Sequence, residues 1–279
     1  MSEVRDTMGS PRRDKKHRAA STPATQAGWG NVPTETLDHI YRCLFTSYGP
    51  QHWWPANSAL EVIVGAVLTQ NTNWHAVEKA IANLKTRGIL SIPALHQTPH
   101  EELSHLIRPA GYFRLKARRL KNLIAVIAGV YSGDLGRMAT LPTGELRATL
   151  LAVNGVGSET ADSIILYAFR RPVFVVDAYT LRVMSRHRLI PPTATYQELQ
   201  SLFMERLPAA EAMFNEYHAL LVQVGKEHCR PTPSCPGCPL ELLPHKPDWR
   251  RRQGVCPRKA SGEAPQYLRD KDARRKGKS

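Results

Sequence analysis

The sequence predicts an all-α protein, and three observations carry that expectation. Apolar residues recur three and four apart through most of residues 34–226, the spacing of one helix face. The run Val62-Ile63-Val64-Gly65-Ala66-Val67-Leu68 is apolar on every side, as a helix buried all round must be. Only one short β-rich run stands out, Phe174-Val175-Val176. No internal repeat is apparent, and the segments between helical patterns are short.

Taken in order, the first helix starts near Thr34, with Leu37, Ile40, Tyr41 and Leu44 as its stripe and Cys43 as a buried small hydrophobe. It leads to His52-Trp53-Trp54-Pro55. Adjacent residues on regular structure point apart, so at least one indole is free to face a cleft, unless both pack beneath the loop. The central apolar helix ends in Thr69-Gln70-Asn71-Thr72-Asn73-Trp74. Thr72 or Asn73 then caps a helix with the stripe Val77, Ala80, Ile81 and Leu84. Arg108-Pro109-Ala110-Gly111-Tyr112-Phe113-Arg114 opens the next helix. Leu120, Leu123, Ile124 and Ile127 are its buried side, and Lys116, Arg118, Arg119 and Lys121 are read as its solvated face. Residues 144–151 form a short amphipathic helix, and Ala161, Ile164, Ile165 and Ala168 mark another. Asp177 should cap the helix carrying Leu181 and Met184. Met213, Phe214, Tyr217, Leu220, Leu221 and Val224 build the last long one.

Between the helices of residues 144–151 and 161–168 lies Asn154-Gly155-Val156-Gly157. Two glycines around one apolar residue let the backbone turn tightly and leave its amides open to an anion. Those amides start a helix whose positive end favours negative charge. The turn therefore reads as a phosphate grip that holds a nucleic-acid backbone without reading sequence, with an ordinary interhelical turn as the alternative.

The 279 residues suffice for one large or two small domains and carry a formal net charge of +14. That charge points to a polyanionic partner but is concentrated at the ends. Residues 1–30 hold six Lys/Arg against three Asp/Glu, and residues 246–279 hold twelve against four. Both segments read as basic, disordered tails that tether the chain to DNA in a salt-dependent way. No apolar run is long enough to span a bilayer, and the N-terminus has no apolar signal core, so a cytoplasmic, DNA-associated monomer is expected.

Five cysteines, three of them clustered, indicate a metal site in a reducing compartment rather than a disulfide framework. Cys229, Cys235 and Cys238 have five and two residues between them, in a loop (residues 229–245) stiffened by Pro231, Pro233 and Pro236. The fourth ligand is Cys256 or His245, or is missing, and zinc is an alternative occupant.

The order Leu141-Pro142, Val153 to Gly157, Thr160-Ala161 and Phe174-Val175-Val176-Asp177 resembles the helix-hairpin-helix DNA glycosylases of the endonuclease III superfamily. Trp53-Trp54-Pro55, Gly65 to Thr72, Arg108 to Tyr112 and Gly155 to Asp162 add a likeness to the endonuclease III-type 3-methyladenine DNA glycosylases. The resemblance implies a glycosylase domain over residues 31–228, with two helical subdomains flanking a DNA-binding cleft. It implies double-stranded DNA containing a damaged base as partner, and Asp177 as the catalytic acid. Many members carry a [4Fe–4S] cluster on the C-terminal cysteines, and here it is expected to be structural.

The resemblance also assigns the pocket. The base would lie between Trp54 with Pro55 on one side and Trp74 on the other, with Trp53 adjacent and Glu159 at the rim. Gln70 or Asn71 would fill the gap left by the extruded nucleotide. Asn154, Gly155, Val156, Gly157, Lys116 and Arg118 would hold phosphates. In the lyase members a lysine nucleophile stands eighteen residues before the aspartate, and here that position is Glu159. A pocket lysine of such relatives is replaced by Leu220. The expectation is a monofunctional enzyme that flips out an alkylated purine and hydrolyses its glycosidic bond. A bifunctional glycosylase/lyase for oxidised pyrimidines using another lysine, and a non-catalytic DNA-binding module, are the rivals.

Overall fold

The structure, a computed structural model, describes residues 32–245. The two tails and Cys256 lie outside that range. The described residues form twelve α-helices and no strand.

The helices group around two hydrophobic clusters. One joins both ends of the described chain: α1 (Thr34–Tyr48), α10 (Ala178–Arg186), α11 (Tyr196–Arg206) and α12 (Glu211–Glu227). The other is built from the consecutive helices α2 (Ala59–Leu68), α3 (Trp74–Thr86), α4 (Ile92–Gln97), α5 (His100–Leu106), α6 (Phe113–Tyr131), α7 (Leu135–Ala139), α8 (Thr143–Leu151) and α9 (Ser158–Ser163). Trp54 and Ala168 pack against both, which places the tryptophan segment at the junction.

Local chemistry explains most boundaries. Ser58, Ser91, Asp134 and Asn73 cap α2, α4, α7 and α3 with their side chains. Thr195 and Glu198 form a reciprocal capping box at α11. The helix predicted over residues 161–168 is not uniform. After Ser163 it widens into a π-helical turn, Ile164–Ala168, closed by the Phe169 N–H on the Ile164 carbonyl at 3.2 Å.

The run Phe174-Val175-Val176 is extended but pairs with no strand, because the chain offers no second β-rich run to meet it. It is a buried connector instead. Phe174 is fully enclosed and stacks on Phe203 at 3.9 Å, and its carbonyl accepts from Gln200 Nε2 at 2.7 Å. The connector delivers Asp177 to the start of α10.

Glycine sets one of the closest helix contacts. A Cβ on Gly225 of α12 would overlap the Tyr179 side chain of α10, and Arg182 reaches across to the Gly225 carbonyl at 3.3 Å. The two helices that frame the site are thus packed backbone against ring.

Candidate active site

Asp177 caps α10. Its Oδ1 accepts from the Thr180 N–H at 2.7 Å and from the Thr180 hydroxyl at 2.9 Å, while Oδ2 lies 3.7 Å from Nε2 of His218 on α12. The Asp177 side chain is 12% exposed and that of His218 8%. Burial pushes the Asp177 carboxyl up, but His218 and the two Thr180 bonds outweigh it and hold it below the usual carboxylate range. His218 Nδ1 in turn meets the Tyr167 hydroxyl at 2.6 Å, from the π-helical turn. Burial raises Tyr167 well above the ordinary phenol, so it stays a neutral hydroxyl.

Tyr167 connects this acid to the tryptophans, with its ring 5.1 Å from that of Trp54. Trp53 and Trp54 both turn toward Trp74, with ring centroids 5.3 and 5.1 Å from it, and lie 5.2 Å from each other. Gly65 makes room for this, since a Cβ there would stand 3.2 Å from Trp54 Cζ2. The structure therefore brings the three tryptophans together but as an edge-to-face cluster. The expected arrangement of Trp54 and Trp74 on opposite sides of a base-wide slot is not present in this conformation, because the rings fill the space between themselves. Pro55 is exposed beside them. Leu220 is fully buried in the first hydrophobic cluster.

Glu159 projects from the first turn of α9. Desolvation by the surrounding chain and then the Asp177 charge raise its carboxyl above the ordinary value, with His218 opposing. Glu159 therefore lies within electrostatic reach of Asp177.

The hairpin, residues 152–157, sits beside this site. Gly155 is at φ +98°, a conformation side chains rarely adopt, and Val156 closes the turn through its N–H on the Val153 carbonyl at 3.0 Å. The Val156 side chain belongs to the second core, so only its backbone faces outward. The outward carbonyls are secured from behind: Asn122 donates to Asn154 O at 3.0 Å and Gln70 to Gly155 O at 3.1 Å. Neither Gly155 nor Gly157 uses its N–H in a backbone bond among the described residues, which leaves both donors for an anion.

The two residues proposed to fill the duplex gap are placed differently. Gln70 is anchored inward, to Gly155 O, to Thr160 Oγ1 at 2.9 Å, and by Arg119 at its carbonyl oxygen. Asn71 stands exposed at the apex of the loop in the left-handed region, φ 51°.

Arg118 is exposed on α6, as a phosphate contact must be. Lys116 is not, and this corrects the expectation. It is 1% exposed, with its ammonium donating to Leu68 O at 2.8 Å and Ala110 O at 2.7 Å. Burial and the neighbouring Arg119 lower it to about 8. Lys116 neutralises the C-terminal end of α2 and supports the loop that carries Gln70 and Asn71 from below. Its position four residues before Leu120, on the buried stripe, was the available signal. His218 was missed altogether, because it lies on the apolar face of α12 and belongs to no motif.

Cys229, Cys235 and Cys238 line a small cavity, partly open to solvent, together with Arg186 of α10, His187 just past its end, and His228 and His245. Arg186 donates to Cys229 Sγ at 3.4 Å, and burial pushes the Cys238 thiol up to about 11. Among the described residues, no three His, Cys, Asp or Glu side chains converge on a single-ion site. Three soft sulfur donors in one loop, one of them met by a guanidinium, fit the thiolate-ligated metals, iron–sulfur clusters and zinc alike.

Residues 64–209 match the model of the HhH-GPD superfamily base excision DNA repair proteins. A putative DNA repair glycosylase of Methanocaldococcus jannaschii is 47% identical over 209 residues, 74% of this chain and 94% of that protein. Endonuclease III of Sulfolobus acidocaldarius is 29% identical over 63% of this chain and 77% of its own length. Among solved structures, the H. pylori 3-methyladenine DNA glycosylase bound to 1,N6-ethenoadenine superposes with a TM-score of 0.61 at 27% identity, covering 70% of this chain and 97% of that one. A non-covalent endonuclease III–DNA complex shares the fold, with a TM-score of 0.66 at 24% identity over 76% and 95% of the two chains.

Proposed function

Because the chain belongs to the HhH-GPD superfamily of base excision DNA repair glycosylases, we propose that it is a monofunctional DNA glycosylase that hydrolyses the N-glycosidic bond of a flipped, alkylated purine. The observation that carries this reading is an ionised, nearly enclosed Asp177 linked through His218 and Tyr167 to a tryptophan cluster, with Glu159 in place of a lysine. An alkylated purine is cationic and already a good leaving group, so it gains most from electron-rich aromatic faces. As the bond from C1′ to the base nitrogen breaks, its electron pair leaves with the base. The Asp177 carboxylate stabilises the positive charge left on the sugar and orients the water that adds to C1′. The Gly155 and Gly157 amides and Arg118 hold the backbone, and Asn71, on the exposed apex, enters the duplex.

The tryptophans must part to admit a base. Trp74 opens α3 directly after the loop Thr69–Asn73, so the segment that enters the DNA also carries one wall of the pocket. Its indole N–H is held by Glu78 at 2.9 Å in the free protein.

The test combines binding, release and trapping. Asp177→Asn is expected to abolish base release from methylated duplex DNA while leaving DNA binding largely intact, and full release by that variant would sink the assignment. Borohydride should trap no covalent adduct with the native enzyme, because no amine attacks the sugar. The Glu159→Lys variant, which restores an amine at that position, should form one. A trapped adduct with the native chain would select the bifunctional reading.

The cysteines would hold a [4Fe–4S] cluster, with His245 lining the same cavity and Cys256 outside the described residues as alternatives for the fourth ligand. Such a cluster would supply structural cross-linking at this end of the molecule.

A further inference from the structure

The acid of this site has one oxygen fully employed and one uncommitted. Thr180 takes Oδ1 twice, through its N–H and its hydroxyl, and Oδ2 faces His218 Nε2 at 3.7 Å. That nitrogen is buried and has no hydrogen-bond partner, a costly state for a polar atom unless it is about to gain one. The tautomer is argued from the other side of the ring. Nδ1 is the one acceptor within hydrogen-bond reach of the Tyr167 hydroxyl among the described residues, so the hydroxyl donates to it and the ring proton goes to Nε2.

We propose that His218 is a positioning residue for Asp177: fixed by Tyr167, it presents an Nε2–H to Oδ2, holding the carboxylate ionised and oriented for the sugar. This rests on the reading of Asp177 as the catalytic carboxylate. The 3.7 Å separation closes to hydrogen-bond length by a small rotation of either side chain, as free enzymes commonly require when substrate arrives. The other titratable groups acting on this trio are Glu159 from α9, which faces Asp177 and His218, and Glu211 from α12, which acts on Tyr167. Both are acids, so neither substitutes for His218 in favouring a charged Asp177.

The sign of the consequence is fixed by the opposing influences. Burial raises the Asp177 carboxyl, and His218 with Thr180 lowers it. Removing His218 leaves burial less opposed, so Asp177 protonates at higher pH and base release fails earlier as pH falls.

The experiment uses the full chain and methylated duplex DNA under single-turnover conditions. His218→Leu should move the acid limb of the base-release profile up by about one pH unit, a roughly tenfold loss on the acid side, with the alkaline plateau largely kept. Tyr167→Phe, which only frees Nδ1, should move it the same way by less. It also decides the matter if His218→Leu does not fold. A loss equal at every pH, or no loss, would mean that His218 is only a packing residue. Long-range proton–nitrogen spectra give a readout free of turnover. They should show His218 protonated on Nε2, with that resonance displaced in Asp177→Asn, and an Nδ1-protonated ring would overturn the proposal. Retained base release by Asp177→Asn would instead strike the underlying reading, so the two failures are separable.

Discussion

Two glycines two positions apart in the same turn show how far a single residue's surroundings decide its role. A Cβ on Gly155 would overlap Arg119 Cγ and stand 2.9 Å from its Cδ, at a backbone angle of φ +98°. Arg119 is the residue that grips the Gln70 side chain, which in turn holds the Gly155 carbonyl. Gly155→Ala therefore strains the turn and dislodges the clamp behind it, and is expected to cost about 1–3 kcal/mol of stability along with a clear loss of affinity for undamaged duplex. Gly157 has φ −95° and nothing within 4 Å of an added Cβ. Gly157→Ala should leave the melting temperature nearly unchanged, and any weakening of DNA binding then reports crowding of the phosphate alone. Thermal melts and duplex titrations of the two variants check this, and equal destabilisation by both would contradict it. The turn was legible in the sequence because Gly-x-Gly is a local pattern. The reason the first glycine is the stricter one was not, since Arg119 comes from another helix.

Helices were legible to the extent that their signal lies within one turn. The stripes of α1, α3, α6 and α12 were readable because apolar spacing is a property of neighbours along the chain. The π-helical turn at Ile164–Ala168 was not, because the same spacing fits an α-helix, and the wider turn shows only in the position of the Phe169 N–H. Its effect is local and functional, since it carries Tyr167. The cysteine loop illustrates the same limit: its cysteines were visible, but its neighbours α10 and α12 were not. Arg182 and Arg186 of α10 hold it through the carbonyls of Cys229 at 2.5 Å, Arg230 at 2.5 Å and Pro231 at 2.7 Å. The loop thus braces the two helices that bear Asp177 and His218. Anaerobically prepared protein should be brown and contain iron, and removing the metal should lower the melting temperature without removing DNA binding. Colourless, iron-free protein prepared that way would eliminate the cluster.

At the scale of the whole molecule, the two hydrophobic clusters are joined by a polar knot with no sequence signature. Asp162 of α9 is fully buried in the second cluster's territory. It accepts a bidentate pair of bonds from Arg147 of α8, at 2.7 and 3.0 Å. Two more come from α11, in the first cluster: Tyr196 Oη at 2.8 Å and Gln200 Nε2 at 2.8 Å. Tyr196 also receives the Val176 N–H at 3.5 Å, and Gln200 reaches the Phe174 carbonyl, so the knot fixes the connector immediately before Asp177. A buried carboxylate with four donors is stable only while all four remain, and taking it away leaves a guanidinium, a phenol and an amide without their acceptor. Asp162→Ala should therefore cost about 3–5 kcal/mol, the range for breaking a buried ion pair, and appear as a large drop in melting temperature. Because the same knot orients the connector, base release should fall further than the folded fraction alone predicts when both are measured at a temperature where the variant remains folded. A variant with wild-type release per folded molecule would show that the junction between the clusters bears load without setting the position of the acid.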